Sequence, residues 1–133
     1  MNIKPYSQYE EEEILPLYAS VGWTNYCRHP EMLRNAFAGS LCILGAYEDE
    51  KLIGLIRAVG DGHSILFIQD LLVHPDFQRR GIGSALMGEM LTRYDQVYQI
   101  QLTTDNTEKT KVFYRSQGFR TMEELGCRGF MKT

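Results

Sequence analysis

The chain has 133 residues, enough for one domain with a single core and too few for two ordinary ones. Its composition, 44% hydrophobic and 23% charged, is that of a soluble globular protein, and a net charge of −3 argues against a general nucleic-acid surface. Cys27, Cys42 and Cys127 are odd in number and far apart, which excludes a disulfide framework or zinc site and favours a reducing cytoplasm; no apolar run reaches membrane-span length, and the first residues lack a secretory h-region.

Residues 2–6 read as a short strand. Residues 9–20 set Ile14, Leu15, Leu17 and Tyr18 at near-helical spacing. The run Glu10-Glu11-Glu12-Glu13 falls in the first turn of that helix, where acids complement the dipole, and Pro16 is expected to bend or shorten it. Residues 21–26 read as a loop, and 30–37 as a second helix with Met32, Leu33, Ala36 and Phe37 on one side. Strands at 41–47 and 51–59 flank the charged turn Glu48-Asp49-Glu50. Gly60-Asp61-Gly62 turns the chain into a third strand of the meander at 64–73, whose apolar run implies burial on both faces. A helix at 81–94, a strand at 96–102 and a helix at 106–116 with Gly118 as its C-cap come next. Residues 120–124 and 127–131 then read as a closing hairpin around Gly126. This order gives a mixed α/β sheet in one domain, 1–133.

The junction between the 64–73 strand and the following helix carries the chemistry. It reads Val73-His74-Pro75-Asp76-Phe77-Gln78-Arg79-Arg80-Gly81-Ile82-Gly83-Ser84. The first amides of a helix lack intrahelical partners and stand at the positive end of its dipole, so an anion there accepts several hydrogen bonds. Gly81 and Gly83 let a phosphate approach the backbone, and Arg79 and Arg80 supply charge suited to phosphate oxygens. Neither the dinucleotide fingerprint nor the nucleoside-triphosphate loop matches, because the third glycine of the first and the Gly-Lys-Ser/Thr of the second are missing.

Gln78-Arg79-Arg80-Gly81-Ile82-Gly83 resembles the Gln/Arg-x-x-Gly-x-Gly/Ala signature of the GNAT-type N-acetyltransferases. Phe113-Tyr114-Arg115-Ser116-Gln117-Gly118-Phe119 resembles that family's Tyr-x-x-x-Gly-Phe segment, in the same order and at a similar separation. The resemblance implies the GNAT fold, a central, mostly antiparallel sheet flanked by about four helices, with the fourth and fifth strands splayed apart. It implies acetyl-CoA as cosubstrate, with no metal, and an amine of a small molecule or peptide as acceptor. Nucleic acid and membrane are not expected partners, and a homodimer is the expected assembly if the chain behaves as look-alike proteins commonly do.

The resemblance also implies site residues. Gln78, Arg79, Arg80, Gly81, Ile82, Gly83 and Ser84 would hold the pyrophosphate. The backbone of Leu71, Leu72 and Val73 would pair with the pantetheine as an added strand does, with the amide near Val73 polarising the thioester carbonyl. Asn106 is a candidate pantetheine contact, although the family's usual Asn would fall at Thr107; Phe113 is a packing residue or a wall against the coenzyme. Tyr114 would be the acid that protonates the departing thiolate. Asp70 is the only carboxylate in the 64–73 strand, a candidate base, ammonium-recognition group or hydrogen-bonded structural acid, with Arg57 next door to pair with it. Trp23 and Tyr26 lie where the family builds its acceptor wall; a lone Trp also commonly closes a core.

Two other classes compete. One is a non-catalytic coenzyme A-binding regulatory module, against which the retained Tyr114 argues. The other is a metal-dependent vicinal-oxygen-chelate enzyme, which needs paired His and Glu ligands on strands; His29, His63 and His74 are few and poorly placed for that.

Overall fold

Seven consecutive residues of one strand, 52–58, are buried, which requires cover on both faces of the sheet at that point. That strand is β3 (Lys51–Gly60), the centre of a five-stranded sheet in the order β1-β2-β3-β4-β5. The computed structural model describes residues 1–133, which divide into two compact units, Met1–Thr103 and Thr104–Thr133.

In the first unit, β1 (Asn2–Pro5), β2 (Cys42–Glu48), β3 and β4 (Ile65–Val73) pair antiparallel in sequence order. After β4 the chain crosses through α4 (Ile82–Arg93) and returns as β5 (Gln99–Leu102), parallel to β4. The mixed, mostly antiparallel sheet expected from the sequence is the one observed. On one face, α1 (Glu11–Ser20) and α3 (Pro30–Ala38) bury Ile14, Leu17, Tyr18, Leu33 and Phe37 against Ile43, Leu52 and Leu55. On the other, α4 buries Leu86, Met87 and Met90. Gly54 of β3 lets α4 approach: a Cβ there would stand 3.2 Å from the Leu72 carbonyl and 3.3 Å from Leu86 Cδ1.

Four sequence expectations change. Helix α1 runs through Pro16 without a break; only one intrahelical bond is forfeited, and buried Ile14, Leu17 and Tyr18 hold both halves on the sheet. Residues expected as loop contain the one-turn helix α2 (Thr24–Cys27), which brings the Tyr26 ring within 5.1 Å of Tyr18. Strand β4 is covered on both faces by halves rather than continuously: Leu66 and Ile68, buried before a shift in its pairing with β3, point to the opposite face from Asp70 and Leu72, buried after it. The fourth change lies in the second unit.

There, α5 (Glu108–Ser116) is capped by Thr107, whose hydroxyl accepts from the Thr110 amide at 3.3 Å. It ends in a Schellman motif: Phe119 N–H donates to the Tyr114 carbonyl and Gly118 N–H to that of Arg115, each at 3.0 Å, with Gly118 at φ +94°. The expected hairpin at 120–131 does not form. The amides of Leu125 and Cys127 donate to the Met122 carbonyl, and Thr121 and Glu124 bond each other's backbone, so this stretch is satisfied locally as a turn. Arg115 fixes the turn by donating to Glu124 at 2.8 Å; that bond, with those from Thr121, brings the Glu124 carboxyl down to about 2. No helix of the protein is long and apolar enough to cross a membrane.

Candidate active site

Beyond Val73 the chain makes a single 3-10 turn (Pro75–Phe77), capped by His74 Nδ1, which accepts from the Asp76 amide at 3.1 Å. Arg79 at φ +65° and Gly81 at φ +77° then swing the backbone so that α4 starts at Ile82. The first intrahelical bond runs from the Ala85 amide to the Gly81 carbonyl at 2.9 Å, so the amides of Ile82 and Gly83 precede the ladder at the positive end of the helix. A Cβ at Gly81 would meet nothing within 4 Å, so the loop faces open space. Arg79 and Arg80 are exposed beside it. Arg80 stacks over Phe77 and touches Glu48 at 3.5 Å, a surface pair weak enough to be exchanged for an anion. Donor set, charge and open approach fit a pyrophosphate.

Strand β5 pairs with β4 only over 65–68. Residues 69–73, which include Leu71, Leu72 and Val73, therefore have a strand neighbour on the β3 side alone. This is the parting expected between the two strands, and it leaves a length of backbone able to pair with an extended amide chain. The Val73 carbonyl already accepts from Gln78 Nε2 at 2.9 Å, so Gln78 ties the loop to the end of the strand.

Where β4 parts from β5 its pairing with β3 also slips. Arg57 faces Asp70 but Ala58 faces Ile68, leaving Gln69 as the extra residue of a bulge. Arg57 and Asp70 are the only buried charged residues, 4% and 3% exposed, and they form an ion pair, Nε donating to Oδ2 at 2.8 Å. Tyr18 Oη donates to the same oxygen at 2.9 Å and Tyr26 Oη to Oδ1 at 3.1 Å. Arg57 Nη1 donates to Ser40 Oγ at 3.1 Å, and Ser40 in turn to the Ala36 carbonyl, which joins the end of α3 to the pair. Both carboxylate oxygens are thus engaged, Oδ2 twice and Oδ1 once.

A cleft of about 350 Å³ opens above this network, lined by Trp23, Tyr26, Gln69 and Asp70 together with Gly22, Thr24 and Asn25. The Trp23 ring packs against the aromatic core around Tyr18 and also lines the cleft. Tyr18 and Ser40 were missed from sequence. Tyr18 reads as one more residue of an apolar helix face, and its hydroxyl was the only hint of a polar partner.

Burial, and then the charge of Asp70, pushes the Tyr18 phenol far above its usual range; burial also raises Tyr26. A raised phenol contributes stability that is complete below its unfolded value and lost as pH climbs past it. Folding stability is therefore expected to fall above about pH 10, where unfolded tyrosines ionise and folded Tyr18 does not. Urea titrations at a series of alkaline pH values check this; an equally steep fall in Tyr18→Phe would remove Tyr18 as a source.

In the second unit, Tyr114 stands in α5 with its ring against Phe113 and Phe119, at 5.0 and 6.1 Å. Burial raises its phenol, while a hydrogen bond from Thr104 works the other way. It therefore holds its proton throughout the neutral range. Asn106 precedes the Thr107 cap and lies outside the helix it was expected to open.

A model of the acetyltransferase (GNAT) domain matches residues 6–132. The chain belongs to the GNAT acetyltransferase family. Among solved structures, this GNAT domain is 45% identical to a GNAT-family acetyltransferase of Streptococcus pneumoniae, with a TM-score of 0.91 over 99% of this chain and 96% of that one. Likeness to the PaiA N-acetyltransferase of Thermoplasma acidophilum, described in complex with coenzyme A, is one of fold: 20% identity and a TM-score of 0.71, covering 90% of this chain and 91% of that one. Among curated relatives, an uncharacterised N-acetyltransferase of Gracilaria tenuistipitata var. liui is 34% identical over 108 residues, 77% of this chain. The match spans 57% of that relative, so this GNAT domain corresponds to little more than half of its length.

Proposed function

We propose that this protein transfers the acetyl group of acetyl-CoA to a primary amine of a small molecule or peptide, by direct attack of the amine in a ternary complex. The observation that carries the reading is the start of α4: a left-handed Gly81 presents helix N-terminal amides to open space, directly after a strand whose last five residues lack a neighbour on one side. Family membership supports the same reaction.

When bound, acetyl-CoA supplies an activated acetyl thioester. The amides of Ile82, Gly83 and Ser84 hold its diphosphate, with Arg79 and Arg80 neutralising charge and Gln78 and Gly81 shaping the loop. The free backbone edge of Leu71, Leu72 and Val73 aligns the extended arm. An amide near Val73 donates to the oxygen on which charge develops. Trp23 and Tyr26 wall the acceptor, and Asp70 Oδ1 orients its nitrogen. Tyr114 Oη holds the proton for the leaving group, a role its raised phenol fits because the acid form is the one present.

Tyr114→Phe is expected to lower kcat about 100-fold or more with little change in coenzyme A affinity. Thiol release and calorimetry on the same preparation check this, and unchanged kcat would remove Tyr114 from the chemistry. Coenzyme binding without acyl transfer to any amine would favour the regulatory-module reading.

A further inference from the structure

The acceptor cleft has one carboxylate, and that carboxylate is already neutralised from below. Asp70 lines the cleft, but Arg57 holds its Oδ2 at 2.8 Å, both groups are buried, and the pair carries no net charge. No other Asp or Glu lines the cleft. At the rim, Asn25 Oδ1 accepts from the exposed Arg28 at 3.4 Å, which adds a positive charge. The remaining walls are the Trp23 and Tyr26 rings, 6.5 Å apart between centroids, with uncharged Gly22, Thr24 and Gln69. Asp70 Oδ1 accepts one bond, from Tyr26 at 3.1 Å, and a carboxylate oxygen can accept a second.

We infer that this cleft selects amines carrying a single cationic nitrogen on an aromatic or aliphatic body, and rejects polycations such as polyamines and aminoglycosides. The inference rests on the acetyl-transfer reading of the same site. Each extra ammonium of a polycation must give up water, and the cleft offers it no carboxylate in return. The reacting nitrogen needs only one anchor, which Oδ1 supplies. The carbon body gains by covering the faces of Trp23 and Tyr26. Arg57 is on this account a specificity-determining residue that acts through Asp70: it keeps the floor of the cleft from behaving as a free negative charge.

The test uses the wild-type protein with acetyl-CoA and follows thiol release with 2-phenylethylamine, tyramine, spermidine and kanamycin. The aromatic monoamines are expected to exceed both polycations by at least about tenfold in kcat/KM. Their KM is expected to change by less than about twofold between roughly 50 and 500 mM NaCl, because the cleft holds no uncompensated negative charge for salt to screen. An exposed variant, Arg28→Glu, is expected to shift the ratio several-fold toward spermidine. Preference for spermidine or kanamycin, or a KM that climbs severalfold with salt, would overturn the selectivity while leaving acetyl transfer standing. Thiol release with none of the four would also overturn it, and a calorimetric titration with acetyl-CoA then shows whether the coenzyme reading falls too.

Discussion

Asp70→Ala is expected to lower the free energy of unfolding by about 3–5 kcal/mol, as much as truncating a large core side chain. The cost does not come from the few side-chain atoms removed. It comes from what they leave behind: buried Arg57 with no counter-charge, and the Tyr18 hydroxyl deep in the core without its acceptor. Tyr26 is half-buried and recovers part of its bond from water. A double variant separates pairing from burial. Arg57→Met with Asp70→Leu removes both charges and is expected to regain the part of the loss due to the unpaired guanidinium, while the Tyr18 hydroxyl still lacks its acceptor. Equilibrium urea unfolding of the two variants beside wild type decides it. A loss below about 1 kcal/mol in Asp70→Ala would mean that the network contributes little to folding and that its conformation has another cause.

Gly81→Val is the second large effect, and it falls on binding. At φ +77° a β-branched residue is strained by about 1–2 kcal/mol, although the space around its Cβ is open. The backbone relieves that strain by leaving the left-handed region, and the amides of Ile82 and Gly83 then lose their common aim. A hydrogen bond to a charged acceptor contributes about 1.5–3 kcal/mol, so losing even one raises the coenzyme A dissociation constant roughly tenfold to hundredfold. Whatever part of the side chain projects outward also stands where the phosphate would approach. Calorimetry should show weak or absent coenzyme binding in a variant whose unfolding is still cooperative. Wild-type affinity in that variant would contradict the role given to this loop.

Much of this was legible in the sequence because it depends on local chemistry. The strand, the glycine-bearing basic turn and the following helix are written in consecutive residues, 64–94, and their order alone places helix amides after a strand end. The Schellman end of α5 was legible for the same reason: Gly118 stands where a left-handed residue is needed. What was not legible depends on partners far apart in the chain. The carboxylate of Asp70 is held by Tyr18, fifty-two residues away, and nothing in the apolar pattern of α1 marks that tyrosine as polar. One-turn α2 has no periodicity to read, and its conformation accompanies packing of Trp23 and Tyr26 on Tyr18. The closing hairpin failed for the opposite reason. Residues 120–124 and 127–131 flank Gly126 as two arms of a hairpin would, but Thr121, Glu124 and Arg115 satisfy the backbone locally. Gln69 shows the limit of pattern reading: a single bulged residue shifts the register where Asp70 meets Arg57, and hydrophobic alternation carries no sign of it.

The central claim is that the amides opening α4 bind a diphosphate. Calorimetric titration of the wild-type protein with coenzyme A, and separately with pantetheine, tests it most directly. Saturable heat with coenzyme A, competition by ADP, and no measurable heat with pantetheine at the same concentration are the expected results. Equal binding of coenzyme A and pantetheine, or no binding of coenzyme A by folded protein, would contradict it.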